Sequence, residues 1–202
     1  MVRGLIINIS RFVLALTFVL SGFVKAVDPI GTQYKFQDYL EAMGIADVVP
    51  DFITLGASVG LSALEFSLGM FLLFAMLRRM VSRLVLLFMV VMTAVTVWIW
   101  LANPVSDCGC FGDAIHLTNG ETLMKNVVLL VMSLLVAWKP MSMPRFVSLG
   151  NQWIVFHYTI LFTLGISVWS LYDIPLFDFR PYHVGVNIPE GMTIPEGEKG
   201  PE

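Results

Sequence analysis

The chain has 202 residues, 57% of them apolar and 13% charged, with a net charge of −3; ordinary soluble domains run at about 45–50% apolar and about 25% charged. Polar side chains are too few to coat a soluble domain of this size. The acidic balance excludes a nucleic-acid binder of the basic kind, no Gly-rich phosphate loop is present, and two cysteines cannot build a disulfide scaffold.

The apolar residues gather in five runs, each long enough to cross a hydrocarbon layer of about 30 Å as a helix. Spanning helices are predicted over 5–27, 52–77, 81–102, 121–138 and 152–171. The first run is too long for the apolar core of a signal peptide, and no small-residue cleavage site follows it, so it is expected to be retained. Asp28-Pro29-Ile30-Gly31 ends it. The next segment, Tyr34 to Met43, spaces Phe36, Tyr39, Leu40 and Met43 as a short amphipathic helix lying on the outer surface. Asn103-Pro104 closes the third span, Thr118-Asn119-Gly120-Glu121 reads as a capping box opening the fourth, and Lys139-Pro140 with Pro144 makes the turn before the fifth. From Asp173 the chain carries five prolines and reads as an extended tail. The expected fold is all-α: a polytopic membrane helical bundle of a four-helix core plus one added helix, over 1–172, with an extracytoplasmic Pro-rich tail over 173–202.

Cytoplasmic loops keep an excess of Lys and Arg. Arg3, then Arg78, Arg79 and Arg83, then Lys139 and Arg145 share one side, with no acid among them. Of the 15 acidic residues, 14 fall on the other side, and the exception is Glu65. The N-terminus is therefore expected inside and the C-terminus outside, in a bacterial cytoplasmic membrane. All five tryptophans fall near predicted helix ends, where interfacial anchoring puts them.

The outer loop before the fourth span reads Asp107-Cys108-Gly109-Cys110-Phe111-Gly112-Asp113. Extracytoplasmic space favours disulfides, so two cysteines one residue apart suit a redox pair. Their bond closes a very small ring; the glycines give the backbone the freedom this demands, and strain makes such a bond a good oxidant. The positive end of the fourth helix and Lys125, one turn in, favour a thiolate if the loop folds back over them. Two alternatives stand beside this: a structural turn with a bracing disulfide, and a metal site on Cys108, Cys110 and His116 with Asp107 or Asp113, although that spacing fits no standard zinc finger.

Ionisable groups inside a membrane mark function or internal pairing. Glu65 lies near the middle of the second span, with Ser58, Ser62 and Gly69 on its face. Arg11 and Lys25 share one face of the first span, and Arg11 is the expected partner of Glu65, with Lys25 near the outer mouth; this pair is either a structural tie or part of a proton or quinone role. Thr159, Thr163, Ser167 and Ser170 form a stripe suited to hydrogen bonding between helices.

Taken together, the run from Arg11 through Ser21-Gly22-Phe23-Val24-Lys25 and Asp28-Pro29-Ile30-Gly31, the Glu65 helix and the Asp-Cys-Gly-Cys-Phe-Gly loop resemble DoxX-like integral membrane proteins and the methylamine utilisation protein MauE. The tail, Asp178-Phe179-Arg180-Pro181-Tyr182 onward, is similar to a branch whose longer members continue into an outer soluble domain. The resemblance implies disulfide formation in an exported partner, as in MauE-like proteins, or quinone-linked sulfur oxidation, as in DoxX relatives. The leading expectation is a membrane thiol-disulfide oxidoreductase: Cys108 and Cys110 exchange with an extracytoplasmic dithiol or thioredoxin-like protein and pass electrons to a membrane quinone, with no covalently bound cofactor and no metal. Asp107 and Lys125 tune the thiolate, while Arg11, Lys25 and Glu65 line the bundle interior. The rivals are a non-catalytic membrane subunit or assembly factor with a loop-bracing disulfide, and a small-solute transporter resting on Glu65 alone.

Overall fold

A computed structural model describes residues 2–102, 109, 110, 117–173 and 177, with side chains from Gly4 onward. Its main elements are α1 (Val2–Val27), α2 (Pro29–Ala42), α3 (Asp51–Leu73), α4 (Arg78–Ala102), α5 (Asn119–Trp138) and α6 (Gln152–Tyr172). All of these but α2 are long and apolar enough to cross a membrane. The bundle core pairs α1 with α3 and α4 with α5, and α1 also meets α5; α6 lies against α1 and α3 from the other side. The expected four-helix core with one added helix is thus what forms. Leu14, Phe18, Leu72, Val85, Met89 and Leu129 fill its centre.

Small residues bring α1 and α3 together. A Cβ on Gly69 would lie 2.7 Å from the Val19 nitrogen, and one on Gly22 would collide with the backbone of Phe66. Without a hydrophobic drive between helices in lipid, such close approach is the main source of packing energy.

Two helix ends differ in how legible they are. At the end of α2, Gly44 adopts φ 71 and the Ile45 N–H bonds the Leu40 carbonyl at 3.0 Å, an ending that glycine announces. The same pattern ends α3 at Leu73, four residues before the predicted limit: the Met76 N–H bonds the Phe71 carbonyl at 2.8 Å, and Ala75 holds φ 53. Hydropathy misses this stop because Ala75 and Met76 leave the helix yet remain buried in the core. The short helix after α1 begins earlier than predicted, at Pro29, because Asp28 caps it by accepting the Gly31 N–H at 2.9 Å. The capping box of α5 forms as expected, with the Glu121 N–H on Thr118 Oγ1 at 3.3 Å and the Thr118 N–H on Glu121 Oε2 at 3.0 Å. Of the tail, the description reaches Asp173 and Phe177, whose ring meets Phe23 edge-on with centroids 6.1 Å apart; the rest of the predicted tail segment lies outside the described residues.

Candidate functional site

The chemistry gathers at the end of the bundle that carries α2. Ser21 and Lys25 lie one helical turn apart on α1, so both project toward α3. Gly22 admits the α3 backbone at Phe66, which sets the neighbouring Glu65 against them. Lys25 Nζ lies 2.7 Å from Glu65 Oε2, and each side chain is only 4% exposed. Lys25 also donates to Ser21 Oγ at 2.9 Å. The Ser21 hydroxyl lies 2.7 Å from Glu65 Oε2 and 2.7 Å from the backbone carbonyl oxygen of Cys110. A hydroxyl has one proton, so Ser21 shares it between the carboxylate and the cysteine loop. This triad therefore ties the buried ion pair to the position of Cys110.

A cavity of about 30 Å³ opens beside it, lined by Ser21, Lys25, Glu65, Cys110, Lys125 and Asn126 among others. That is room for water among polar partners. Asn126 donates to Thr96 Oγ1 at 2.7 Å and joins α5 to α4 at this level. Lys125 and Cys110 line the same cavity, so Cys110 lies near the first turns of α5. Gly109 holds φ 60, the left-handed region that its missing Cβ permits, and packs against the side-chain stem of Lys35.

The structure corrects one pairing. Glu65 is partnered by Lys25, and Arg11 lies elsewhere. The first turns of α3 rise beside α2, where Ser58 donates to the Pro29 carbonyl at 2.6 Å, so Glu65 sits level with Ser21 rather than deeper. Ten residues of helix, about 15 Å, separate Ser21 from Arg11. Arg11 is fully buried near the opposite end, donating to the Pro144 carbonyl at 3.1 Å, with its guanidinium 4.4 Å and 4.9 Å from the ring centres of Phe12 and Phe146. Arg78 binds the carbonyls of Met141 and Met143 in the same connection, so Arg11 and Arg78 stitch it to the bundle.

Of the other expected site residues, Cys108 and Asp107 lie outside the described residues, as do Asp113 and His116 of the alternative metal set. Among the described residues no three His, Cys, Asp or Glu side chains gather as a metal site. On α6, Thr159, Thr163, Ser167 and Ser170 are all buried, with Thr163 donating to the Thr159 carbonyl at 2.8 Å. Sequence reasoning gave no role to Ser21 or Asn126. The four-residue spacing of Ser21 and Lys25 was the available signal for the first; nothing in the sequence marked the second.

The family model for the methylamine utilisation protein MauE matches residues 3–139, more than half of the chain. The chain belongs to the MauE family. The match takes in Ser21, Lys25, Glu65, Cys110 and Lys125, and stops before α6. The DoxX-like features noted in the sequence are compatible with this membrane family. No curated protein and no solved structure matches the chain. With five apolar helices, this MauE-family protein is a multi-pass membrane protein.

Proposed function

We propose that this MauE-family protein is a membrane thiol-disulfide redox protein, with the α2 end and the cysteine loop outside a bacterial cytoplasmic membrane and the N-terminus inside. The observation that carries the reading is the Ser21 bridge from the Cys110 carbonyl to the buried Lys25–Glu65 pair. A bracing loop needs no buried ion pair beneath it, and a buried pair is costly to maintain unless it is closely hydrogen-bonded. Lys125, with the amino end of α5, supplies positive potential beside Cys110, and the thiolate is the form that attacks a disulfide. In the forward step the Cys108–Cys110 disulfide accepts two electrons and two protons from a dithiol of an exported, thioredoxin-like partner. The partner's disulfide forms as the loop's bond opens. The resulting dithiol returns its two electrons and two protons to a membrane quinone, giving a quinol. The family is described by methylamine utilisation, and the exported partner is proposed to act in that process.

The test is a trapping experiment. A Cys110→Ser variant with its Cys108 thiol reduced should accumulate a mixed disulfide with an added thioredoxin-like protein in its disulfide form, one sulfur of that bond leaving as a thiol, and the double Cys→Ser variant should accumulate none. Trapping by Cys108→Ser instead exchanges the two sulfur roles. No mixed disulfide from either single variant would leave the loop-bracing subunit as the better account.

A further inference from the structure

A second, larger space lies on the far side of Lys25. It is a chamber of about 750 Å³ between α2, the first half of α3 and the second half of α4, within the range of about 300–1,000 Å³ typical of small-molecule sites. Its walls are mostly apolar and include Phe36, Leu40, Ile53, Leu61, Val95 and Trp98. Ala57 and Val95 on these walls are exposed and belong to segments apolar enough to be membrane-embedded. Lys25, Met92 and Cys110 line both this chamber and the small polar cavity. Lys35 adds a second ammonium group at that end, and no carboxylate lines the chamber among the described residues.

We propose that this chamber is where the membrane quinone docks, its ring toward Cys110 and Lys25 and its tail leaving between α2 and α4. The inference rests on the thiol-disulfide reading and adds the site of the electron acceptor. A ligand here must be largely apolar, because most of the walls are, and must carry oxygens, because Lys25, Lys35, Thr32, Tyr39, Thr54 and Trp98 bring donors to the lining. It must also tolerate the ammonium groups of Lys25 and Lys35, which suits oxygens that gain negative charge on reduction. A quinone meets all three requirements. Two S–H bonds of the loop dithiol break as one S–S bond forms, and the two electrons and two protons convert the quinone to a quinol. Glu65 lines the small cavity and not the chamber.

The full chain in phosphatidylcholine nanodiscs, with a short-chain ubiquinone as probe, tests this by tryptophan quenching. A variant keeping Trp98 alone, the other four tryptophans replaced by Phe, should quench saturably. Its midpoint should lie at least ten-fold below that of a variant keeping only Trp138, which reports quinone dissolved in the bilayer near the opposite end. Ala57→Phe, or Val95→Phe if the first folds poorly, should raise the Trp98 midpoint to the Trp138 level. Equal midpoints, or a Trp98 midpoint unmoved by either filling substitution, would overturn the proposal. Displacement of the quinone by oleate at equal concentration would also overturn it, by reassigning the chamber to a lipid chain. Thiol titration of the loop without quinone is read separately. Reversible thiols with no saturable quenching keep the redox reading and remove the docking site; saturable quenching over inert thiols keeps the docking site and removes the redox reading.

Discussion

Lys25→Met should destabilise the detergent-solubilised protein by about 3–5 kcal/mol, the cost of leaving one member of a buried ion pair without its partner. Lys25 and Glu65 are 2.7 Å apart and nearly inaccessible, so neither solvent nor another described cation within contact replaces the lost ammonium. Glu65→Gln should cost less, because the amide oxygen still accepts from Lys25 and Ser21, although the Lys25 ammonium loses its counter-charge. The double change Lys25→Met with Glu65→Met removes both charges together and should recover most of the loss, since paired replacement by apolar groups is often close to neutral. Arg11→Met should fall well short of Lys25→Met, because Arg11 faces a carbonyl and two aromatic rings rather than a carboxylate. Thermal unfolding of the set in one detergent measures this order. Equal stability of Lys25→Met and wild type would remove the pair from the account.

The next largest effect belongs to Gly22→Ala. The added methyl would meet the Phe66 nitrogen and lie 2.8 Å from the Phe66 Cα, so a helix backbone rather than a flexible side chain must give way. Overpacking of this kind costs about 1–3 kcal/mol. The larger consequence is positional. Phe66 adjoins Glu65, and any widening of the α1–α3 contact draws Glu65 away from Lys25 and Ser21. Gly60→Ala on the same helix is the control, since nothing lies within 4 Å of its added Cβ; relief of the glycine entropy cost should make it neutral or stabilising by about 0.5–1 kcal/mol. Matching losses from the two alanines would refute the close-contact argument.

The helices were legible because a membrane leaves the chain little choice: runs of apolar length must satisfy their backbone internally. Thr118 to Glu121 announced the start of α5 by residue type alone, and it formed as written. The end of α3 was illegible because Ala75, a residue without glycine's tolerance, takes the left-handed position while staying in the core. The partner of Glu65 was misjudged for a geometric reason. Counting along each span fixes which face a residue occupies, but not how far one helix is offset along another. That offset is set by Gly22 against Phe66 and Gly69 against Val19, contacts that appear only once the helices are packed. Ser21 was in view as part of a motif, yet its role needs Cys110 above it, and that approach depends on how a loop folds back over 89 residues of separation.

The central claim is that the cysteine loop above this triad exchanges electrons. The most direct measurement is the reduction potential of the Cys108–Cys110 bond in the purified full-length protein, titrated against glutathione buffers and read by thiol alkylation. Structural disulfides usually lie below about −300 mV, and for a two-electron couple each 30 mV is worth about 1.4 kcal/mol. The account predicts reversible titration well above that limit, shifted by Lys25→Met if the pair beneath Cys110 bears on the loop. A bond that stays oxidised throughout the glutathione range, with no shift on Lys25→Met, would contradict it.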